Sequence, residues 1–400
     1  MVQRSRSLPL HIHLDEQSVV KSPCSFSSLV RRTFPRMKIF ECHVDKTETL
    51  RVVIRHLQKY PAPNLESLTL QVLYPFHSHP SVSEPPHFPA FGRNDPIALD
   101  WLVGYSCHLT SLKLVLGDLP VSLTQLATLI QRCPLLEHLI LRDVFVCDSR
   151  DLEKPAMAMI DLPRLKALEI GGSSSHTLLL LADHIVISPY STVSVLAHFP
   201  HLPLASLPSL CKLTERACRG REIRHVECSA DDYDEGATVL KVYGGGLTIA
   251  TFEGLVMGSI LRCFSSAAVD AIILDTYGLS EASLRPYFRL SSGLQMVKVG
   301  NRSRLNFLQV LDRLDHTPCF TTVVLVAWQD FEDYPGDSED AMPVYRDLVR
   351  LARILGRRRC SDTSSPLREI ILEGFHMCSE RKVSTILSEV AQNVLWRNLD

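Results

Sequence analysis

Ser122-Leu-Thr-Gln-Leu-Ala-Thr-Leu-Ile-Gln-Arg-Cys-Pro-Leu-Leu-Glu-His-Leu-Ile-Leu141 carries two periodicities in one run. Leu123, Leu126, Ala127 and Ile130 are spaced i, i+3, i+4, i+7, which is the stripe that one face of a helix buries. Ser122 with Gln125 reads as a capping box that opens the helix. Cys133-Pro134 closes it, because a residue before proline avoids the α region. The period then changes. In Leu136-Glu-His-Leu139-Ile-Leu141 the last two leucines are two apart and share one face of a strand, while Leu136 enters from the preceding turn.

The pattern apolar-x-x-apolar-x-apolar recurs along the chain. It starts at Leu65, Leu109, Leu136 and Leu165, and again at Ile223, Val269, Leu294, Phe320 and Leu367. The starts lie 27 residues apart from Leu109 to Leu136, 29 from Leu136 to Leu165, 25 from Val269 to Leu294 and 26 from Leu294 to Phe320. These are leucine-rich-repeat periods, about 20–29 residues. The step from Leu165 to Ile223 is twice as long and holds a weaker strand, Val193-Ser-Val195, midway. The longer gaps before Leu109, Val269 and Leu367 are each expected to hold one repeat plus an insertion. Helical stripes fill several gaps: Leu50 to Leu57, Phe307 to Leu314, Leu348 to Leu355 and Val383 to Val390. Strand, turn and helix at this period cannot bury their faces alone. The expected fold is therefore α/β: an irregular leucine-rich-repeat solenoid, or horseshoe, with a parallel sheet on the concave side and helices on the convex side. A doubly wound sheet also alternates strand and helix, but its βαβ unit needs roughly 30 residues or more.

The organisation follows from that pattern. Residues 1–400 are expected to form a single leucine-rich-repeat-like domain, with N-terminal atypical repeats or a cap at 1–60. A proline-rich insertion loop is expected at 75–92, and further loop insertions at 330–343 and 356–366. Leu8, Leu10, Ile12 and Leu14 alternate with Pro9, His11 and His13 as a strand with one apolar face, so the chain is expected to begin inside a structure, with a segment upstream. Met37 and Ile39 mark another strand.

Composition excludes several classes. Hydrophobic residues make up 46% and charged residues 22% of the 400, which are globular values. Forty-two Lys and Arg against 44 Asp and Glu give no bulk attraction to nucleic acid or anionic lipid, so neither is expected as a partner. The 12 cysteines form no Cys-x-x-Cys and suit reduced thiols, hence a cytoplasmic or nuclear protein. The N-terminus lacks a signal-peptide apolar stretch, and apolar runs such as Leu178 to Ala182 fall far short of the roughly 20 residues that span a bilayer. A monomer is expected.

Chemical motifs are sparse. His11, His13 and Asp15 would share one strand face and could ligate a metal, but three exposed polar residues opposite a leucine face is the favoured reading. His77, His79 and His87 lie in the proline-rich segment with no zinc pattern around them. Gly244-Gly-Gly246 is not followed by Gly-Lys-Ser/Thr, so it reads as a β-turn or hairpin, not a phosphate loop. Arg357-Arg-Arg359 reads as a solvated basic loop. No catalytic residue, metal site or cofactor is expected, and the protein is read as a binding module, not an enzyme. A metal-dependent enzyme using the histidines is the reading of another class.

Residues between the apolar strand positions would point outward on the concave sheet. The candidate partner-binding residues are Lys113, His138, Arg142, Glu169, His225, Glu227, Ile273, Asp275, Lys298, Val324, Trp328 and Ile371. Ile273, Val324 and Ile371 would be exposed apolar residues unless an insertion loop or helix covers them, and exposed apolar rows mark protein contacts. Trp328 and Phe375 follow their strands and are read as rim anchors or as core.

Three segments carry a resemblance. Arg4-Ser-Arg-Ser-Leu-Pro-Leu-His-Ile-His-Leu-Asp15 resembles the segment after the F-box in a large family of fungal F-box proteins with irregular leucine-rich repeats. Leu129-Ile-Gln-Arg-Cys-Pro-Leu-Leu-Glu-His-Leu139 resembles that family's step from helix to strand, and Leu178 to Val195 its central repeat. The resemblance implies a protein-interaction scaffold that presents a substrate protein to a cullin–RING ubiquitin ligase. A Skp-type adaptor and a cullin would then be further partners. The F-box itself, with its Leu-Pro-x-Glu-Leu-Leu run, is not found in this chain. The alternative is therefore a repeat protein without an F-box that binds a protein partner and has no ligase role.

Overall fold

The computed structural model describes residues 8–20, 28–29, 31–60, 62–73, 99, 102, 106–146, 158–172, 175–196, 206–230, 238–251, 254–264, 269–276, 279–291, 293–314, 320–327, 343–359, 367–375 and 380–397. It is a mixed α/β protein whose sheet is large, mostly parallel and not closed, and it divides into two compact units, Met1–His198 and Phe199–Asp400.

In the first unit the strands are β1 (Leu10–Asp15), β2 (Met37–Val44), β3 (Ser67–Val72), β4 (Ser111–Val121), β5 (His138–Val146), β6 (Ile160–Asp161), β7 (Ala167–Gly171), β8 (Ile185–Val186) and β9 (Thr192–Leu196). Helices α1 (Glu16–Val20), α2 (Thr47–Leu57), α3 (Leu123–Gln131) and α4 (Ser175–Ala182) connect them. β6 and β8 pair with each other; the rest lie in the order β1-β2-β3-β4-β5-β7-β9, every pairing parallel.

The register lines up the sequence motif. Leu68, Leu112, Leu139, Leu168 and Val193 oppose one another across successive strands, and Leu70, Leu114, Leu141, Ile170 and Val195 form the next row. All ten are at most 1% exposed. The second residue of each motif extends the ladder below the strand. The amides of Glu66, Thr110, Glu137 and Lys166 each donate to the carbonyl of the counterpart one repeat earlier, at 2.7–2.8 Å, and the Lys166 carbonyl accepts from the Thr192 amide at 2.7 Å. β1 and β2 obey the same spacing, since His13 opposes Glu41 and Glu41 opposes Thr69. Ser122 caps α3, its Oγ accepting from the Gln125 amide, but Gln125 does not reach back: its Oε1 accepts from the Leu99 amide.

The second unit contains β10 (His225–Ala230), β11 (Thr238–Tyr243), β12 (Leu247–Thr251), β13 (Ala271–Asp275), β14 (Met296–Val299), β15 (Thr322–Val326), β16 (Leu367–Glu373) and β17 (Ala391–Arg397). Its helices are α5 (Leu207–Cys218), α6 (Gly254–Cys263), α7 (Glu281–Leu290), α8 (Arg304–Arg313), α9 (Pro343–Arg359) and α10 (Glu380–Ser388). Here Val226, Ile272, Val297, Val323 and Ile370 share one buried row, and Cys228, Leu274, Val299, Leu325 and Leu372 the next. The backbone ladder repeats through Asp270, Gln295, Thr321 and Arg368.

Two expectations change. The gap before Val269 does not hold another parallel repeat. β11 runs antiparallel to both β10 and β12, and Gly244-Gly-Gly246 makes the tight turn from β11 into β12, with Gly244 and Gly246 at φ of 90° and 59°. The loop expected at 356–366 starts as helix, since α9 runs to Arg359 and Arg357 Nη2 pairs with Asp312 Oδ1 at 3.3 Å. The insertion at 75–92 and residues 330–342 and 360–366 lie outside the described residues. No helix among the described residues is long and apolar enough to cross a membrane. Cys42, Cys133 and Cys228 are buried and free. Burial pushes the thiols of Cys42 and Cys133 up to about 12, so they act as small apolar side chains.

Candidate functional site

Strand alternation sends one set of side chains into the leucine rows and the other outward, and the outward set is the candidate site. In the first unit its middle row is His13, Glu41, Thr69, Lys113, Ile140, Glu169 and Ser194, one residue per strand. His138 is exposed, and Lys113, Arg142 and Glu169 are half-buried. Arg142 Nε and Glu169 Oε1 form an ion pair between β5 and β7. Lys113 makes no ion pair among the described residues. Burial, then the Arg142 charge, holds its ammonium below the usual lysine range.

The rim of this face gathers residues that sequence spacing alone does not join. His11 Nε2 and His13 Nδ1 both approach Glu41 Oε2, each at 3.3 Å. The His13 and His43 rings stand 5.0 Å apart. Burial raises the Glu41 carboxyl, but hydrogen bonds from His11 and His13 outweigh it and hold the group low. Burial and then the His13 charge hold His43 below the usual imidazole range. Asp15 does not join this group. Its Oδ1 accepts from the Ser18 amide at 2.7 Å and from the Ser18 hydroxyl at 2.6 Å.

Family models and curated proteins give no match to this chain.

In the second unit the corresponding row is Glu227, Ile273, Lys298, Val324, Ile371 and Leu395. His225 stacks on Tyr243 at 3.9 Å, and the Tyr243 hydroxyl donates to Glu227 Oε2 at 2.8 Å. Ile273, Val324 and Ile371 do not form an exposed apolar row, which leaves the reading in which they are covered. Val324 is 3% and Ile371 5% exposed, while Ile273 is half-buried. Lys298 Nζ reaches Glu373 Oε2 at 2.7 Å, from β14 to β16, so its aliphatic stem crosses over β15 and shields Val324 and Val326. Arg397 Nη1 joins the same carboxylate from β17 at 3.6 Å, and Leu395 flanks Ile371. Phe375 is buried. Trp328 lies outside the described residues.

Asp275 ends β13 on the outward side. Its Oδ1 lies over Gly300, where a Cβ would come within 2.1 Å of it, and accepts from the Arg302 amide at 3.4 Å. Burial raises its carboxyl above the ordinary range. A raised folded value means that stability falls as pH rises between the ordinary and the raised value, and the loss is complete above both. Asp275→Asn keeps the acceptor and removes the charge. It is expected to raise the thermal midpoint near pH 7, with a gain that shrinks toward about pH 4. Melting curves at the two pH values check this, and a midpoint lowered at pH 7 would show that Arg302 and Lys298 outweigh burial.

Proposed function

We propose that the chain is a protein-interaction scaffold of the F-box/leucine-rich-repeat type. It would be an irregular leucine-rich-repeat horseshoe whose open strand face takes the partner. The observation that carries this is the outward face of the first unit. The parallel register sets polar side chains such as Lys113 on β4 and His138 and Arg142 on β5 at fixed outward positions on adjacent strands about 4.8 Å apart. A rigid, ridged, half-exposed polar face suits a folded protein partner, and the half-buried Lys113 suits a partner carboxylate. The leading role is substrate recognition for a cullin–RING ubiquitin ligase.

Affinity purification of the tagged chain with mass spectrometry tests the ligase role. A Skp-type adaptor and a cullin are expected among the co-purifying proteins. Protein partners recovered without either would assign the chain to a scaffold with no ligase role.

A further inference from the structure

We propose that His13, Glu41 and His43 bind a divalent transition-metal ion of the zinc class on the exposed face of β1 and β2. His13 opposes Glu41 across the parallel pair, and His43 stands two residues along β2 on the same face. One ligand atom from each lies within 4.8 Å of the other two. Around a tetrahedral zinc with bonds of about 2.0–2.1 Å, ligand atoms sit roughly 3.4 Å apart. His13 Nδ1 already lies 3.3 Å from Glu41 Oε2. The side chains of His13 and Glu41 are 58% and 34% exposed, so rotamer adjustment closes the remaining distance without moving the strands.

The donors select the ion. Two imidazoles and one carboxylate suit zinc and its neighbours in preference to calcium or magnesium, which take oxygen ligands. Three protein ligands leave a fourth position for water or for a side chain of a bound protein. His13 and His43 line a cleft that gives access to it. His11, whose Nε2 lies 3.3 Å from the same Glu41 oxygen, is the outer partner that orients the carboxylate. Lys113 acts through space on both His43 and Glu41 and opposes the added positive charge.

Cobalt(II) is the probe, titrated into the full chain and followed by absorbance and calorimetry. Binding of a single ion is expected, with d–d bands, no thiolate charge-transfer band, and displacement by zinc. Glu41→Gln and the His13→Ala/His43→Ala double variant should each weaken binding by more than about tenfold, with unchanged circular dichroism. Lys113→Met should tighten it. If the double variant unfolds, His13→Asn alone gives the same comparison. Equal affinity in wild type and folded variants, or a thiolate band in the cobalt spectrum, would overturn the site.

Discussion

Asp347→Ala is expected to destabilise the second unit by about 3–5 kcal/mol. Arg304 opens α8 and Asp347 sits in α9; Nε donates to Oδ2 at 2.7 Å, and the two side chains are 8% and 12% exposed. Arg304 Nη1 is buried with no hydrogen-bond partner among the described residues. Truncating Asp347 therefore leaves a guanidinium away from water with its counter-charge gone, and the penalty is the desolvation of that charge, not the modest net value of the pair. Arg304→Met/Asp347→Leu removes both charges and should recover most of the loss. Urea unfolding of the two variants checks the pair. A loss under about 1 kcal/mol for Asp347→Ala would mean that water reaches the guanidinium.

Leu139→Ala should cost about 2–5 kcal/mol, and the damage should spread along the stack. Leu139 is fully buried between Leu112 on β4 and Leu168 on β7, so the cavity opens under three strands at once. In a repeat stack each unit is stabilised chiefly by its neighbours, and weakening one interface loosens both sides of it. Hydrogen exchange should therefore speed up on β4, β5 and β7 together. Ile140→Ala, one residue on and facing outward, should stay within about 1 kcal/mol. Similar losses at the two positions would contradict the inward–outward assignment of β5.

Those two neighbours also show what the sequence makes legible. Leu139 and Ile140 are equally apolar, and only their place in the six-residue motif separates core from face. That rule placed every motif leucine, because the parallel register repeats it strand after strand. It faced Val324 and Ile371 outward as well, but it does not show what lies over them: the long stem of Lys298 crosses β15 to Glu373, and Leu395 pairs beside Ile371. A sequence pattern fixes direction; it does not fix what a flexible side chain then covers. β17 carries no motif and went unread: Ala391-Gln-Asn-Val-Leu-Trp-Arg397 is an exposed strand held by pairing to β16 and by Trp396 Nε1 donating to Ser384 Oγ at 3.1 Å. The cluster of His13, Glu41 and His43 was hidden for a different reason. His13 lies 28 and 30 residues before Glu41 and His43, and only the register between β1 and β2, with its shift after Leu10, brings it to them.

On the proposed function, the outward strand face of the first unit binds a protein. The most direct test is quantitative affinity purification of the chain beside a folded Lys113→Glu/His138→Glu variant, both placed at half-exposed or exposed positions of adjacent strands. A defined set of partners that bind the wild type and are lost, by about tenfold or more, from the variant is the predicted result. The same partners recovered at the same level from both would contradict it and place binding elsewhere on the chain.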